Sequence, residues 1–459
     1  MFGGVYLIFL LILAIIFIVY MTGRKQMNAF LALMLAAFGV GLLAFNPPPV
    51  STVGPDGQEV LGLIEVIAGG FGGTLKSIGI VIVAGTIIGT ILEKTGGALV
   101  LANTMLKIFG KKNSPLAMAV SGAVVSIPVF CDSGFVILSS LNRALAQSGG
   151  ISLGVMGIAL SMGLYATHVM VPPTPGPIAA AGNLGADLGL VIVFGLLVSI
   201  PAVIAGWLYA LKVGSKYPIV PKTDVTYDDL MKKFGQLPGA WESFMPLIVP
   251  IVFIALRSIA LFNSHPFGTG FFQDFLVFIG HPIFALFLAV FLAMRLAPEI
   301  NKEVYGDWVT EAIKNAAVIL VITGAGGAFG AVLKATGIGN LLGDMLAAYN
   351  LGIFLPFVIA AAIKTAQGSS TVSIITTSAI LAPMLGTLGL AGTMGRVLVT
   401  LAIGAGAMVA SHANDSYFWV VSQFSDMDVK TAYKLQTGAS IVTGLAAIIT
   451  IAIIAAIAL

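Results

Sequence analysis

Long apolar runs separated by short polar stretches fill almost the whole chain. Most runs approach the length of about 20 residues that an α-helix needs to cross a bilayer. The continuous runs lie at 3–20, 27–45, 151–167, 187–210, 245–262, 275–296, 311–333 and 435–458. Another run ends near residue 92, and the stretch 98–112 suits a helix lying at the membrane interface. This pattern predicts an all-α polytopic membrane protein with about 10–12 membrane-spanning segments.

Two further apolar segments, 115–145 and 355–385, are interrupted by polar residues near their middles. We interpret each of them as a re-entrant hairpin. Four prolines between 172 and 177 break the span that begins at 151, and the polar sequence at 411–415 ends its counterpart. Because unpaired backbone is costly in hydrocarbon, such breaks usually line a buried site or a watery path.

These interruptions recur at the same spacing in both halves of the chain. Ser126 precedes His168 by 42 residues, and Ser370 precedes His412 by 42 residues. Basic residues occur in alternate loops, which by the positive-inside rule makes the first run enter the cytoplasm and the run at 245–262 leave it. The sequence therefore predicts two inverted-topology repeats, each with a re-entrant hairpin and a broken transmembrane helix. Their bounds are 1–210 and 241–459, joined by a cytoplasmic linker at 211–240.

Composition supports a membrane protein. The 459 residues are 58% hydrophobic and 9% charged, whereas soluble domains carry about 25% charged residues. The net charge of +3 indicates no nucleic-acid partner, and the single cysteine, Cys131, excludes an internal disulfide. The positive charges that follow the first run, Arg24 and Lys25, indicate a first spanning helix that starts outside the cytoplasm. No phosphate-binding loop, dinucleotide fingerprint or zinc spacing occurs, so we expect no cofactor.

The tip of the second hairpin has the composition of an anion site. A half-helix N-terminus exposes N–H groups that attract anions, glycine permits the turn, and hydroxyls can bind carboxylate or polyol oxygens. The four residues concerned are Gly368, Ser369, Ser370 and Thr371. Packing between helices is the alternative explanation for such a cluster. Lys364, three residues before Gln367, is a minor candidate for pairing with an anion.

Candidate proton carriers lie at the other interruptions. Asp132 is remote in sequence from any basic cluster, and Asp415 ends the second break. His168 could relay protons or bind a carboxylate, unless it only caps a helix. The remaining candidate binding residues at these breaks are Ser133, Thr174, His412 and Asn414.

Four motifs resemble the gluconate permease family, in matching order along nearly the whole chain. They are Val-Phe-Cys-Asp-Ser-Gly at 129–134, Val-Pro-Pro-Thr-Pro-Gly-Pro at 171–177, Gly-Asn-Leu-Gly-Ala-Asp at 182–187 and Ser-His-Ala-Asn-Asp at 411–415. The resemblance implies a bacterial inner-membrane symporter that imports gluconate or a related hydroxy acid with protons. It also implies the fold of the wider ion-transporter superfamily, in which a homodimer is plausible. Many relatives have a histidine where this chain has Thr174, which leaves short hydroxy acids and D-serine open as substrates.

Residues and resemblance together predict a proton-coupled symporter of a small hydroxylated carboxylate. Free hydroxyls and carbonyls could also hold sodium, so sodium is the alternative coupling ion. A passive organic-anion channel and an intramembrane hydrolase with Asp132 and Asp415 as a carboxylate dyad are the competing classes. Uphill accumulation of substrate separates the symporter from the channel.

Overall fold

A computed structural model describes residues 2–44, 47–53, 59–221, 237–261, 266–337, 351–413 and 415–459. The first half contains α1 (Phe2–Gly23), α2 (Ala29–Ala44), α3 (Leu63–Lys94), α4 (Gly97–Phe109), α5 (Ser114–Val125), α6 (Cys131–Gly149), α7 (Leu153–Met170), α8 (Pro175–Leu184) and α9 (Leu188–Tyr209). The second half contains α10 (Ala240–Ala260), α11 (Phe271–Ile279), α12 (Pro282–Met294), α13 (Val309–Thr336), α14 (Phe354–Gln367), α15 (Ser370–Leu381), α16 (Thr393–Ala407), α17 (Ser416–Phe424), α18 (Val429–Ala432) and α19 (Gly438–Ala458).

Short irregular turns extend several of these helices. Three π-helical turns lie at Ala210–Gly214, Glu303–Trp308 and Tyr433–Thr437, and two 3-10 turns lie at Lys111–Asn113 and Ala382–Met384. The only strands in the described ranges are β1 (Thr52–Val53) and β2 (Glu59–Val60), a small antiparallel ribbon between α2 and α3. Apart from this ribbon, the regular structure in the described ranges is helical, as a bilayer requires of spanning segments.

Helix length and composition fit a multi-pass membrane protein. In the described part of the chain, five helical segments are long and apolar enough to span a membrane, or up to seven if each bent pair is one span. The five are Leu153–Leu184, Leu188–Gly214, Ala240–Ala260, Glu303–Thr336 and Val429–Ala458. The shorter apolar helices are α1, α2, α4, α5, α14, α15 and α16. This agrees with the predicted fold class.

Both predicted hairpins and both broken helices are present. The turn at 126–130 separates α5 from α6, and Gly368–Ser369 separates α14 from α15. Residues 171–174 interrupt α7 and α8, and residues 408–415 separate α16 from α17. Each half therefore runs in the same order: a long helix (α3 or α13), a hairpin, a broken helix and a final span. Because a hairpin returns to its starting side, the predicted spans place five crossings before α10, which is the number that an inverted second repeat requires.

The two repeats interlock reciprocally around the centre. The second arm of the second hairpin, α15, packs on α8, the second half of the first broken helix. In the same way α6, the second arm of the first hairpin, packs on α17. Such an exchange between halves is the arrangement that a pseudo-two-fold axis produces. It brings both hairpin turns and both helix breaks into one region of the molecule.

One predicted span differs from the structure. The run 275–296 was expected to be continuous, but α11 and α12 meet at a 60° bend. Pro282 opens α12, and the preceding residue, His281, adopts the extended backbone that a following proline favours (φ −61°, ψ 127°). The proline therefore starts a new helix instead of continuing the old one. Most of the predicted linker, residues 222–236, lies outside the described residues, as does Asn414.

Candidate functional site

A buried ion pair lies where the second hairpin turn meets the second helix break. Lys364 Nζ is 2.6 Å from Asp415 Oδ2, and the side chains are 0% and 5% exposed. The ammonium also donates to the carbonyl oxygen of Gly368 in the hairpin turn. Since Gly368 has a φ of +97°, the turn needs a residue without a side chain at this point. Lys364 thus joins the hairpin turn to the broken helix.

The carboxylate of Asp415 is fully supplied with donors. Besides Lys364, its Oδ2 accepts a hydrogen bond from Ser411 Oγ at 2.5 Å. Its Oδ1 accepts from the backbone N–H of Tyr417 at 3.1 Å, which caps the start of α17. A buried charge is tolerated when it is paired and its remaining lone pairs are bonded. In this conformation Asp415 is therefore held in place by a cation, a hydroxyl and a backbone N–H.

Tyr165 links the first repeat to this centre. Its hydroxyl lies 2.8 Å from Ser370 Oγ at the start of α15, and it donates to Asp415 Oδ2 at 3.5 Å. Its ring lies 5.1 Å from the ring of Tyr417, and the Lys364 ammonium is 5.9 Å from its centroid. A residue of α7 thereby positions the hydroxyl of the first residue of α15.

Asp132 occupies the first turn of α6, where a helix N-terminus favours a negative charge. Its Oδ1 accepts a hydrogen bond from Ser416 Oγ at 3.3 Å, and its Oδ2 lies 3.7 Å from Cys131 Sγ. The ion pairs found among the described residues do not include it. Asp132 is therefore a half-buried carboxyl group bonded to neutral donors. The neighbouring carboxyl group, that of Asp415, is instead paired with Lys364.

The other predicted residues occupy different positions around the centre. His168 is buried, its ring lies 5.9 Å from that of Phe130, and its Nδ1 has no hydrogen-bond partner in the described structure. Thr174 Oγ1 donates to the carbonyl of Val171 at 2.6 Å and so stabilises the first break. His412 Nε2 lies 2.9 Å from the carbonyl oxygen of Thr365.

The hydroxyl residues of the hairpin turn lie at a helix start. The Ser369 side chain accepts a hydrogen bond from Val372 N at 3.3 Å and caps α15, while Ser370 is nearly buried and Thr371 is half-buried. On the first hairpin, Ser133 is also half-buried, in the first turn of α6. The first turn of α6 carries a carboxylate, whereas the first turn of α15 carries none. Unlike α6, α15 therefore begins without a negatively charged side chain of its own.

Sequence reasoning understated two residues. Lys364 is only a minor candidate by sequence, although a lysine inside the apolar run 354–366 must find a partner in the protein. Tyr165 was missed, and a tyrosine in a span gives no sequence signal that separates packing from a functional hydroxyl.

This combination defines a class of protein. Inverted repeats with two hairpin turns and two helix breaks converging on buried charges are the architecture of a secondary transporter. The profile of the GntP family permeases matches residues 6–457. The chain therefore belongs to the GntP permease family, as the motif resemblance indicated.

Several relatives match over almost their full length. The chain is 35% identical over 92% of its length to an uncharacterised permease of Haemophilus influenzae, covering 86% of that protein. It is 32% identical to a gluconate permease of Pseudomonas aeruginosa, covering 94% of both chains. It is 30% identical to the D-serine transporter DsdX of Escherichia coli, covering 98% of both. These proteins are transporters, so the hydrolase alternative is wrong.

A solved structure supports the fold. The chain is similar to MtrF of Neisseria gonorrhoeae, described as one of a class of antimetabolite efflux pumps, with a TM-score of 0.66. The match covers 95% of this chain and 96% of MtrF at 17% identity. At this identity the similarity concerns the architecture alone.

Proposed function

We propose that this permease imports gluconate or a related small hydroxy-carboxylate together with protons. The observation that carries the proposal is the contrast between two neighbouring carboxyl groups. Asp415 is held by Lys364, Ser411 and a backbone N–H, whereas Asp132 accepts from a hydroxyl and a thiol and belongs to no ion pair among the described residues. Asp132 is therefore the carboxyl group that can gain and lose a proton without breaking an ion pair.

The substrate anion binds at the start of α15 in this proposal. Backbone N–H groups there, with the hydroxyls of Ser369, Ser370 and Thr371, offer donors to a carboxylate or to sugar-acid hydroxyls. Ser133 adds a hydroxyl from the first hairpin. Protonation of Asp132 removes one negative charge near the incoming anion, so proton and substrate favour each other's binding. His168 remains the candidate that passes the proton onward.

Uptake into proteoliposomes tests the coupling. With a pH gradient and no sodium, the wild type accumulates labelled gluconate against its gradient, whereas Asp132→Asn does not. The variant still exchanges internal for external gluconate, because exchange requires no net proton movement. Asp307→Asn, at an exposed position, is the matched control and accumulates normally.

Three results would contradict this proposal. Full accumulation by Asp132→Asn removes Asp132 from the proton role. Accumulation driven by a sodium gradient at equal pH on both sides shows that sodium is the coupling ion. Uptake that never exceeds equilibrium indicates a passive channel.

The choice of substrate within the class is tested by competition. The matched relatives include a gluconate permease and a D-serine transporter. We expect unlabelled gluconate to inhibit uptake more strongly than D-serine, glycerate or hydroxybutyrate, because the site offers several hydroxyl partners for a polyol. Stronger inhibition by D-serine would instead assign the chain to amino-acid uptake.

Orientation and assembly complete the proposal. The protein lies in the bacterial inner membrane as a homodimer, with its N-terminus outside and the linker 211–240 in the cytoplasm. Basic residues flanking α9 and α13 support this orientation. Labelling of single introduced cysteines from each side of the membrane tests the orientation, and mass photometry in detergent tests the dimer.

A further inference from the structure

A cavity of about 850 Å³ lies away from the central site, at the far ends of α8 and α15. Its walls come from α3, α8, α13 and α15 and the segment leading into α16, and glycines form much of them. Lys334 and Arg396 are the charged side chains in its lining. Asn183 and Ser378 join the two helices at this end through a 2.9 Å hydrogen bond. Ser378 is eight residues from Ser370, which places the cavity about 12 Å along α15 from the central hairpin turn.

A second cavity of about 690 Å³ adjoins the first. The two share Gly182, Gly185, Ala391 and Arg396 in their linings, so Arg396 lies at the junction. The second cavity adds Arg257, whose Nε is buried and has no hydrogen-bond partner in the described part of the chain. Together we call the two cavities the vestibule.

The charge of the vestibule is predominantly positive. Its lining holds Arg257, Lys334 and Arg396, and none of them belongs to an ion pair among the described residues. The one carboxylate in the lining is Asp187. Its Oδ1 already accepts hydrogen bonds from Leu190 N at 2.8 Å and Ser258 Oγ at 2.7 Å. His281 is the other titratable group that faces the second cavity.

Arg396 is held in place by backbone acceptors. Its Nε donates to the carbonyl of Ala391 at 2.7 Å and its Nη1 donates to that of Leu184 at 3.0 Å. The two bonds fix the guanidinium group between the end of α8 and the segment that leads into α16, without neutralising it. A fixed cation at the junction of two cavities is suited to bind the carboxylate of a passing anion.

We propose that the vestibule is a separate carboxylate-binding site, in which Arg396, assisted by Lys334 and Arg257, captures a small organic anion before it reaches the central site. The identity of the anion rests on the proposed function, whereas the positive charge of the vestibule is independent of it. Clefts lined by one sign of charge concentrate counter-ions and raise association rates. Loss of this capture therefore affects the KM of transport more than its kcat.

A cysteine reporter measures the charge without relying on transport. Gly386 lines the first cavity, is exposed, and has open space where a Cβ would be placed. In Gly386→Cys, a thiol reagent bearing a sulfonate should react faster than one bearing a trimethylammonium group. Adding Arg396→Gln should lower the ratio of the sulfonate rate to the trimethylammonium rate by about tenfold. Loss of one positive charge slows the negatively charged reagent and speeds the positively charged one. Arg396→Lys should keep the ratio, and Arg24→Gln, in the exposed α1–α2 loop, serves as the control. The native Cys131 is buried, so we expect it to react slowly with either reagent.

Uptake kinetics then test the capture role. Arg396→Gln and Lys334→Gln should each raise the KM for gluconate several-fold with little change in kcat, and should flatten the fall of kcat/KM with ionic strength. If Arg396→Gln leaves the ratio of the two labelling rates unchanged, the proposal is overturned. If the wild type transports gluconate and Arg396→Gln has the same KM for it, the proposal is also overturned. A different result would separate this proposal from the proposed function. The wild type would fail to transport gluconate, yet gluconate would slow labelling of Gly386→Cys only when Arg396 is present. In that case the vestibule binds a carboxylate, and the proposed transport function is wrong.

Discussion

Asp415 shows how a single side chain organises the centre of this protein. It receives Lys364 from the first arm of a hairpin, Ser411 from the helix break and a backbone N–H from α17. Taking two charges out of water is expensive, so the pair is stable only while every donor and acceptor is matched. We infer that its first role is to fix the geometry of the hairpin turn.

Breaking this pair should be costly. Lys364→Gln leaves the Asp415 carboxylate buried without its cation, and we expect about 3–5 kcal/mol of destabilisation. Thermal unfolding in detergent measures the loss. Combining Lys364→Gln with Asp415→Asn should recover part of the stability, because no uncompensated charge then remains. A double variant that is as unstable as the sum of both single variants would contradict this account.

The tyrosine hydroxyl at the same centre makes a smaller contribution. Tyr165→Phe keeps the ring that packs on Tyr417 but removes the 2.8 Å contact with Ser370 Oγ. We expect about 0.5–1.5 kcal/mol of lost stability together with a raised KM for the substrate, since Ser370 is no longer oriented. Thermal unfolding and uptake kinetics measure the two effects. A Tyr165→Phe variant with normal KM would show that Ser370 does not need this partner.

How well the sequence predicted the centre depended on the kind of residue. Asp132 and Asp415 could be singled out because charges in apolar segments require an explanation. The pairing of Lys364 with Asp415 could not be deduced, since 51 residues separate them and only the hairpin and the helix break bring them together. The same applies to the contact between Tyr165 and Ser370, which belong to different repeats.

At the scale of helices, glycines set how closely the elements pack. A side chain at Gly163 of α7 would collide with the backbone of Ala119 in α5, and one at Gly122 would meet the backbone of α7. This close contact holds the first arm of a hairpin against the first half of the broken helix. Small residues at such interfaces let helix backbones approach in a membrane, where lipid gives little hydrophobic drive for association.

A matched pair of glycine substitutions tests this packing. Gly163→Ala should destabilise the protein by about 1–3 kcal/mol, because a rigid backbone carbonyl has to move. Gly69→Ala, in α3, has nothing within 4 Å of the added methyl group. It should be neutral, or stabilising by up to about 1 kcal/mol, as expected for alanine in a helix. Equal unfolding temperatures for the two variants would show that the α5–α7 contact adapts.

Element prediction succeeded where one local rule dominated. Prolines and polar clusters located both hairpins and both helix breaks, because in a bilayer they signal interrupted hydrogen bonding. The bend between α11 and α12 was missed, although Gly280-His281-Pro282 interrupts the run 275–296. So short an interruption leaves the run long and apolar enough for one span, and hydrophobicity alone does not show whether a helix is straight.

Cross-repeat contacts shape the molecule as a whole. Besides the α8–α15 and α6–α17 contacts, Arg143 of α6 forms a bidentate ion pair with Asp426 beyond α17, at 2.7 and 2.8 Å. Hairpins and broken helices thus hold one another across the repeats. The long helices α3 and α13 pack together and also contact this group, through α8 and α15 respectively. The arrangement suggests an inner body formed by α5–α8 and α14–α17, against a frame that contains α3 and α13.

Alternating access requires these two parts to move relative to each other. Gly330 of α13 and Ala379 of α15 lie on opposite sides of their boundary, and a Cβ at Gly330 would be 3.6 Å from that of Ala379. This distance suits a disulfide, which needs Cβ atoms about 3.5–4.5 Å apart. Oxidised Gly330→Cys/Ala379→Cys should therefore lose transport by at least about tenfold, since a cycle locked on one side cannot turn over.

Reduction of the same sample should restore transport, because the two substitutions are small and only the covalent bond prevents movement. The two single-cysteine variants, treated with the same oxidant, control for damage by the reagent. If the fully cross-linked protein transports at the rate of the reduced sample, α13 and α15 do not separate during the cycle. The moving boundary would then lie elsewhere, and the inner body would have to include α13. The same preparation therefore tests whether access alternates by motion of the hairpins against the long helices, which neither the family nor the fold decides.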